Sequence, residues 1–424
     1  MHDKARSFLL LQGPSTPFFQ RLAERLGERG HRVHVVNFNG GDCLYRRGLR
    51  HHKASHHDFR GHPEQLPAFL SALYRRHAIT DQVMFGDRRP VHRPALAEAR
   101  RQGVRNHVFE EGYLRPHWIT LEREGVNGHS PMPRDPDWYH RAAAALARPA
   151  RVRGFRTRFR VRAMHDVAYH LAGLANPLAF PGYRNHAPIT APREYAGYVR
   201  RFTRLRLTRR RRRDSQCIRR LVAGPAPYFV LALQLNGDAQ IRDHSPFKDM
   251  RQVIETALRS FAAHAAPEAR LVIKNHPLDM GLVDYAALIR ALEAELGLAG
   301  RLEYLESGDL NVLLDKAAGM VTVNSTSGLV ALEHGCPTLA LSDPIYALPG
   351  LTFDGPLERF WMTPSRPDAA LFQALRTTLL HCTQLNGGFY CRTGIELAVA
   401  NAVPRLEADH SPLEALLSCL PRAA

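Results

Sequence analysis

The stretch Met320 to Leu341 (MVTVNSTSGLVALEHGCPTLAL) limits the folds open to this chain more than any other. Val321 and Val323 are β-branched and lead into Asn324, Ser325, Thr326, Ser327 and Gly328. Leu329, Val330 and Leu332 then recur at helical spacing, and Gly335 with Pro337 stops that helix. Thr338, Leu339 and Leu341 begin the next strand. Strand, polar turn, helix, glycine and strand make one βαβ unit. The turn sets three hydroxyls and several backbone N–H groups at a helix N-terminus, which suits an anion, most often a phosphate. The same residues serve equally as an ordinary Ser/Thr cap.

The pattern repeats along the chain. Ser7–Gly13 is a strand, Pro17–Arg29 an amphipathic helix and Arg32–Asn39 a second strand. A helix over Leu66–Arg76, a strand over Gln82–Asp87, a helix over Pro94–Gln102 and a strand over Arg105–Gly112 follow. A second alternating half runs through strands Tyr228–Leu235, Arg270–Asn275 and Arg301–Leu305, with helices Lys248–His264, Tyr285–Leu296 and Asp309–Lys316 between them. A tail helix covers Asp368–Leu380. Such alternation predicts α/β structure with parallel, doubly wound sheets, whose ligands sit beyond the carboxyl ends of the strands. Those ends are polar or glycine-rich: Gln12-Gly13, Asn39 to Asp42, Gly86-Asp87 and Glu110 to Gly112. A chain of 424 residues exceeds one core, so two Rossmann-like domains are expected. They are assigned to residues 1–147 and 225–424, with a connector over 148–224. Two such domains facing across a cleft are the architecture of GT-B glycosyltransferases and of some sugar-nucleotide epimerases.

The connector carries the charge. Arg148 to Arg220 holds 20 arginines, no lysine and three acids, a net +17 of the chain's +18. A block this basic seeks a polyanion. No zinc-finger spacing or RRM-like aromatic motif supports nucleic acid. Phe155, Phe159, Val161, Met164, Val167, Tyr169 and Leu171 lie among the arginines, so one helix suits an anionic membrane surface. A solvated basic linker has the same composition. The six cysteines are scattered without a CxxC pair, which fits a reducing cytoplasm. The first residues hold too short an apolar run for a signal peptide, and no run reaches membrane-spanning length. The expectation is a soluble or peripheral protein.

Four clusters are suited to chemistry. Glu110-Glu111-Gly112 ends a strand, close to Arg115. Alternation turns the two carboxylates to opposite faces, so one can act as general acid or base for a sugar hydroxyl. A pair of surface acids reads the same way. Lys274-Asn275-His276-Pro277 offers a cation and an imidazole to a phosphate, and the imidazole can protonate a leaving oxygen; a plain turn is the alternative. The Ser325-Thr326-Ser327 turn is the third, with Glu333 on its helix in reach of a ribose hydroxyl. The fourth is the loop Gln234–Phe247, which carries Asp238, Gln240, Arg242, His244 and Ser245. No Walker A, no G-x-G-x-x-G and no metal-ligand spacing is found; His51-His52 and His56-His57 read as a solvated loop.

Together LQGPSTPFF (Leu11–Phe19), VNFNGGD (to Asp42), FGDRRPVHRPA (Phe85–Ala95), FEEGYLRPHWITLEREGVNG (Phe109–Gly128), LQLNGDAQIRDHSPF (to Phe247), IKNHP (to Pro277) and the opening stretch resemble the capsule polysaccharide biosynthesis/export family of the KpsS/LipB type. These segments span both halves of the chain. The resemblance implies a β-Kdo transferase that moves Kdo from CMP-Kdo to phosphatidylglycerol or its lyso form, starting the lipid-linked poly-Kdo linker of a capsule. It also implies kinship with bacterial sialyltransferases, which share a (D/E)-(D/E)-G motif, an HP motif and a Ser/Thr motif. Glu110 and Glu111 then carry acid–base chemistry. His276-Pro277, with Lys274, binds the CMP phosphate, and Ser325, Thr326, Ser327, Gly328 and Glu333 complete the CMP site. Gln12, Gly13, Asn39, Asp42, Arg115, Gln240, Arg242, His244 and Ser245 contact donor sugar or acceptor.

If donor and product are both β, configuration is retained, most simply by double displacement, with Asp238 as the nucleophile. No metal or other cofactor is expected. The partners implied are the anionic lipid and the inner-membrane surface, the capsule synthesis and export machinery, and a sister β-Kdo transferase; nucleic acid is not among them. The location implied is cytoplasmic, peripheral at the inner membrane. A transferase using CMP-sialic acid or another CMP-linked acidic sugar would carry the same three motifs. A non-catalytic capsule scaffold would also use the basic block.

Overall fold

Strand β1 (Ser7–Leu10) is buried on both faces, so it needs cover on both. The computed structural model describes residues 5–48, 54–147, 149, 151–184, 191–236, 241 and 245–420. In it β1 is central to a sheet with β2 (Arg32–Asn37), β3 (Ser55–Asp58), β4 (Asp81–Phe85) and β5 (Arg105–Glu111). These five are parallel, in the order β3-β2-β1-β4-β5. Phe8, Leu10, Val83 and Phe109 pack with the helices Phe18–Glu28 and Arg392–Glu407 on one face. Leu9, Leu11, Met84 and Val108 pack with the helices Leu66–His77 and His92–Arg101 on the other. Strand β6 (Trp118–Arg123) turns back antiparallel to β5.

The second sheet repeats the first. Strands β7 (Tyr228–Ala232), β8 (Arg270–Lys274), β9 (Leu302–Leu305), β10 (Gly319–Thr322) and β11 (Thr338–Ala340) are parallel, in the order β11-β10-β7-β8-β9. Phe229, Leu231, Leu271, Ile273 and Val321 share a core with the helices Met250–His264 and Tyr285–Glu295. Tyr228, Val230, Val272 and Met320 share another with Cys217, Ile218 and Leu221 of the helix Arg210–Ala223. Both sheets are therefore doubly wound. Strand order reverses between β1 and β4 in the first and between β7 and β10 in the second, and such reversals are where open α/β sheets take ligands.

The chain divides into two units otherwise than the sequence suggests. One contains Met1–Pro133, Ala142–His186 and Thr377–Ala424; the other contains Arg134–Arg141 and Ala187–Arg376. The last segment returns to the first unit because β12 (Gln384–Asn386) pairs antiparallel with β6, and the helix Arg392–Glu407 covers one sheet face. The basic connector 148–224 is likewise no separate element. Its helix Phe159–Ala172 belongs to the first unit, and its helices Ala191–Leu207 and Arg210–Ala223 belong to the second. His56-His57, expected in a solvated loop, lies in β3; His51-His52 lies outside the described residues. Among the described residues no helix is long and apolar enough to cross a membrane.

Candidate functional site

In the second unit three adjacent strands, β8, β7 and β10, end in polar residues. Gln234, just past β7, is buried. Its amide donates to Asn324 Oδ1 (2.9 Å) and accepts from the Asn324 N–H (3.1 Å), which ties the strand ends across the reversal point. The hydroxyl turn follows. Ser325 Oγ accepts from the Ser327 N–H (3.1 Å), and the Ser325 carbonyl accepts from the Gly328 N–H (2.9 Å) and the Tyr346 hydroxyl (2.5 Å). Thr326 is the N-cap residue but makes no side-chain cap bond. Ser327 Oγ is buried without a hydrogen-bond partner. A buried hydroxyl left this way carries a desolvation penalty that a bound polar group would relieve. The helix that follows spans only Ser327–Glu333, so the hydroxyls carry more of any anion binding than its dipole does. Glu333 closes the far end of that helix, roughly 10 Å along the axis, exposed and 4.0 Å from Arg376.

At the end of β8, the turn carrying His276 and Pro277 is held from inside. Arg201, 3% exposed, donates to the carbonyls of Pro277 (3.0 Å), Asp279 (2.5 Å), His276 (3.3 Å) and Glu306 (3.1 Å). Asn275 reinforces the turn: its Oδ1 accepts from the His276 N–H (2.8 Å), and its Nδ2 donates to Asp279 (3.2 Å) and the Tyr304 hydroxyl (2.9 Å). His276 Nδ1 accepts from the Leu278 N–H (3.1 Å). This bond holds the imidazole against the turn. Lys274 is also turned inward. It is 5% exposed, its ammonium donates to the Asn275 carbonyl (3.0 Å), and burial, aided by Arg201, brings its pKa down to about 8. Its charge acts on the turn from beneath.

Of the loop after β7, Asp238, Gln240, Arg242 and His244 lie outside the described residues. Ser245 Oγ donates to the Ile241 carbonyl (2.6 Å).

In the first unit, the Glu110 and Glu111 side chains diverge as alternation requires. Glu111 accepts from the Tyr390 hydroxyl (2.8 Å), on the sheet face that carries Phe389. Glu110 Oε1 accepts from the Glu111 N–H (2.9 Å), and a Cβ built on Gly86, at the end of β4, would lie 3.3 Å from its Oε2. Gly112 is required because a Cβ there would meet the Trp118 carbonyl at 2.0 Å. Arg115 is exposed, its Nε 3.4 Å from the Gly112 carbonyl.

Gln12, Asn39 and Asp42 are brought together, but by a residue of the basic block. The Tyr169 hydroxyl accepts from Gln12 (3.2 Å) and Asn39 (2.9 Å) and donates to Asp42 (2.7 Å). Burial pushes the Asp42 carboxyl up, against the Tyr169 and Phe38 hydrogen bonds. Gly40 and Gly41 admit that helix: a Cβ on Gly40 would meet the Ala172 carbonyl at 2.2 Å, and one on Gly41 the Tyr169 ring at 2.6 Å. Gly13 accepts from Arg89 through its carbonyl (2.8 Å). An apolar-lined cavity of about 50 Å³ opens beside these residues, between Leu11, Phe19, Val35 and Tyr169.

Sequence reading missed Arg201 and Tyr169. A signal existed for the first. Gly197, Arg201 and Leu205 recur at i, i+4 and i+8 and are the buried face of their helix. Tyr169 carried no such signal, because its apolar neighbours are exposed.

The sequence profile of the family described as "Capsule polysaccharide biosynthesis protein" matches residues 80–390. The chain is 37% identical over 389 residues to the Escherichia coli protein named capsule polysaccharide export protein KpsS, covering 91% of this chain and 97% of that one. It is 37% identical over 398 residues to capsule polysaccharide modification protein LipB of Neisseria meningitidis serogroup B, covering 92% of each. A solved structure titled Thermosulfurimonas dismutans KpsC, beta Kdo 2,7 transferase, is similar at 13% identity and a TM-score of 0.45, over 94% of this chain and 99% of that one. The chain belongs to the capsule polysaccharide biosynthesis protein family, of the KpsS/LipB type.

Proposed function

We propose that this protein is a glycosyltransferase of capsule assembly that moves Kdo from CMP-Kdo to phosphatidylglycerol or its lyso form with retained β configuration. The observation that carries the reading is the pair of turns in the second unit. An imidazole on a turn clamped by Arg201 and a hydroxyl turn with an unpartnered buried Ser327 Oγ end β8 and β10, the two strands that flank β7. That set suits a phosphate monoester leaving group, which departs as CMP without needing protonation. Relatives named for capsule export and capsule modification support a role alongside the capsule machinery.

In the proposed chemistry the Asp238 carboxylate attacks the anomeric carbon as the bond to CMP breaks. The acceptor hydroxyl, losing its proton to Glu110, then attacks the same carbon and releases Asp238. Two inversions retain configuration. Glu110 is taken as the base because it lies beside Gly86, at the end of β4, one of the two strands that flank the reversal point of the first sheet.

The acceptor is lipid-borne in this reading, and the helix Phe159–Ala172 supports it. Met164, Val167 and Leu171 on this helix, and Leu174 and Leu178 in the short turns that follow it, recur at intervals of three and four residues and are all exposed, with Arg158, Arg160 and Arg162 beside them. An apolar stripe flanked by arginines suits the interface of an anionic bilayer.

The test is a transfer assay with CMP-Kdo made in situ and a fluorescent lyso-phosphatidylglycerol, read by mass spectrometry. A gain of one Kdo, lost in both Asp238→Asn and Glu110→Gln, is the expected result. Substantial transfer by Asp238→Asn removes the nucleophile. No product with CMP-Kdo but product with CMP-sialic acid changes the donor, and no product with either favours a scaffold.

A further inference from the structure

Three histidines far apart in sequence meet at the edge of the first sheet. His34 is on β2 and His57 on the edge strand β3; the β2–β3 register sets His57 opposite Val36, so His34 and His57 face the same side. The helix Leu66–His77 covers that side and ends at His77. His34 Nδ1 and His57 Nε2 lie 3.2 Å apart. The ring centroids are 4.3 Å apart for His34 and His77 and 5.2 Å for His57 and His77. One ring nitrogen from each of the three falls within 4.8 Å of the others.

We propose that His34, His57 and His77 form a binding site for a divalent transition-metal ion, Zn²⁺ foremost, which ties the edge strand to the sheet and to the helix that covers it.

The distances fit the ion. Zn–N bonds of about 2.0–2.1 Å at a tetrahedral angle put neighbouring nitrogens about 3.3 Å apart. The His34–His57 pair already has that spacing, and a modest closing of His77 completes a three-nitrogen face. His34 is buried while His57 and His77 are half-buried, which leaves one side open for water as a fourth ligand. Three imidazoles without thiolate or carboxylate select Zn²⁺, Cu²⁺ or Ni²⁺ over Mg²⁺ and Ca²⁺. The carboxyl end of the twelve-residue helix carries the negative end of its dipole, which favours a cation beside His77. Arg32 and Arg76 act against it and Asp58 for it, so micromolar affinity is expected. The gain is structural, because β3 is only four residues long and lies at an open sheet edge.

The test uses the full-length chain stripped of metal by a chelator. Zn²⁺ is titrated by calorimetry, and Co²⁺ is followed by its visible absorption. Expected are one equivalent of Zn²⁺ at micromolar affinity, an intense tetrahedral Co²⁺ spectrum and a higher melting temperature with metal. His57→Gln and His77→Gln should each weaken binding at least about tenfold while melting like the unaltered chain without metal. His410→Gln, elsewhere on the surface, should bind as before. Absence of binding at micromolar Zn²⁺, or affinity unchanged in both site variants, overturns the proposal. If the site variants fail to fold, the unaltered chain decides, since a weak octahedral Co²⁺ spectrum excludes the three-imidazole site.

Discussion

At Lys274 the second unit keeps a charge where burial opposes it. The ordinary pKa of 10.5 falls to about 8, chiefly by desolvation and then by Arg201. Between those values the unfolded chain binds more protons than the folded one. Stability therefore rises with pH across the window from about 8 to 10.5, by about 3 kcal/mol from this group. Chemical unfolding of the wild type and of Lys274→Met at several pH values checks this: the wild type gains relative to the variant over that window, and below pH 8 the difference is flat. At this scale the sequence was legible where backbone geometry decides. Alternation separated Glu110 from Glu111, and the structure agrees. It was not legible where a side chain's partner is distant. Lys274 and His276 were expected to offer a cation and an imidazole to a phosphate, but Lys274 is turned inward and its charge state depends on burial and on Arg201.

Helices and strands show the same division. Apolar residues among the arginines were legible in the sequence, and Met164, Val167 and Leu171 of the helix Phe159–Ala172 are exposed. Tyr169, grouped with them by composition, instead turns inward onto Gln12, Asn39 and Asp42. The stripe predicts binding to vesicles containing phosphatidylglycerol and little binding to purely zwitterionic ones. Replacing Met164, Val167 and Leu171 together by glutamate should weaken sedimentation with the anionic vesicles by at least about tenfold, about 1.4 kcal/mol. Unchanged sedimentation would remove this helix as the membrane contact. Tyr169 remains in the triple variant, so the first unit should still fold.

On the scale of the whole chain, the first unit depends on its return segment. Leu385, Phe389, Ile395, Val399, Val403 and Leu406 are all buried in one core with Phe18, Leu22 and Phe109. At about 1.5–3 kcal/mol each, their burial is comparable to the roughly 5–15 kcal/mol that stabilises a domain. A chain ending at Arg376 should therefore lose the fold of its first unit and keep the second. Hydrogen exchange would show it, with β1, β4 and β5 unprotected while β7, β8 and β10 stay protected. Equal protection in both sheets would mean that the return segment is dispensable.

The sequence by itself determined what local periodicity can encode. Short apolar runs alternating with amphipathic helices specify parallel strands, and the polar residues ending those runs mark where ligands are handled. That information lies within a few residues of each position, in the 2.0 and 3.6 periods of strand and helix. Only the tertiary structure decided that the C-terminal segment belongs to the first unit, that the arginine block is divided between the two, and that Arg201 clamps a turn 75 residues away. It also decided that three scattered histidines meet on one sheet edge. These are pairings between distant segments, settled by which buried polar groups find partners and which apolar faces find cover, and no local pattern records that choice.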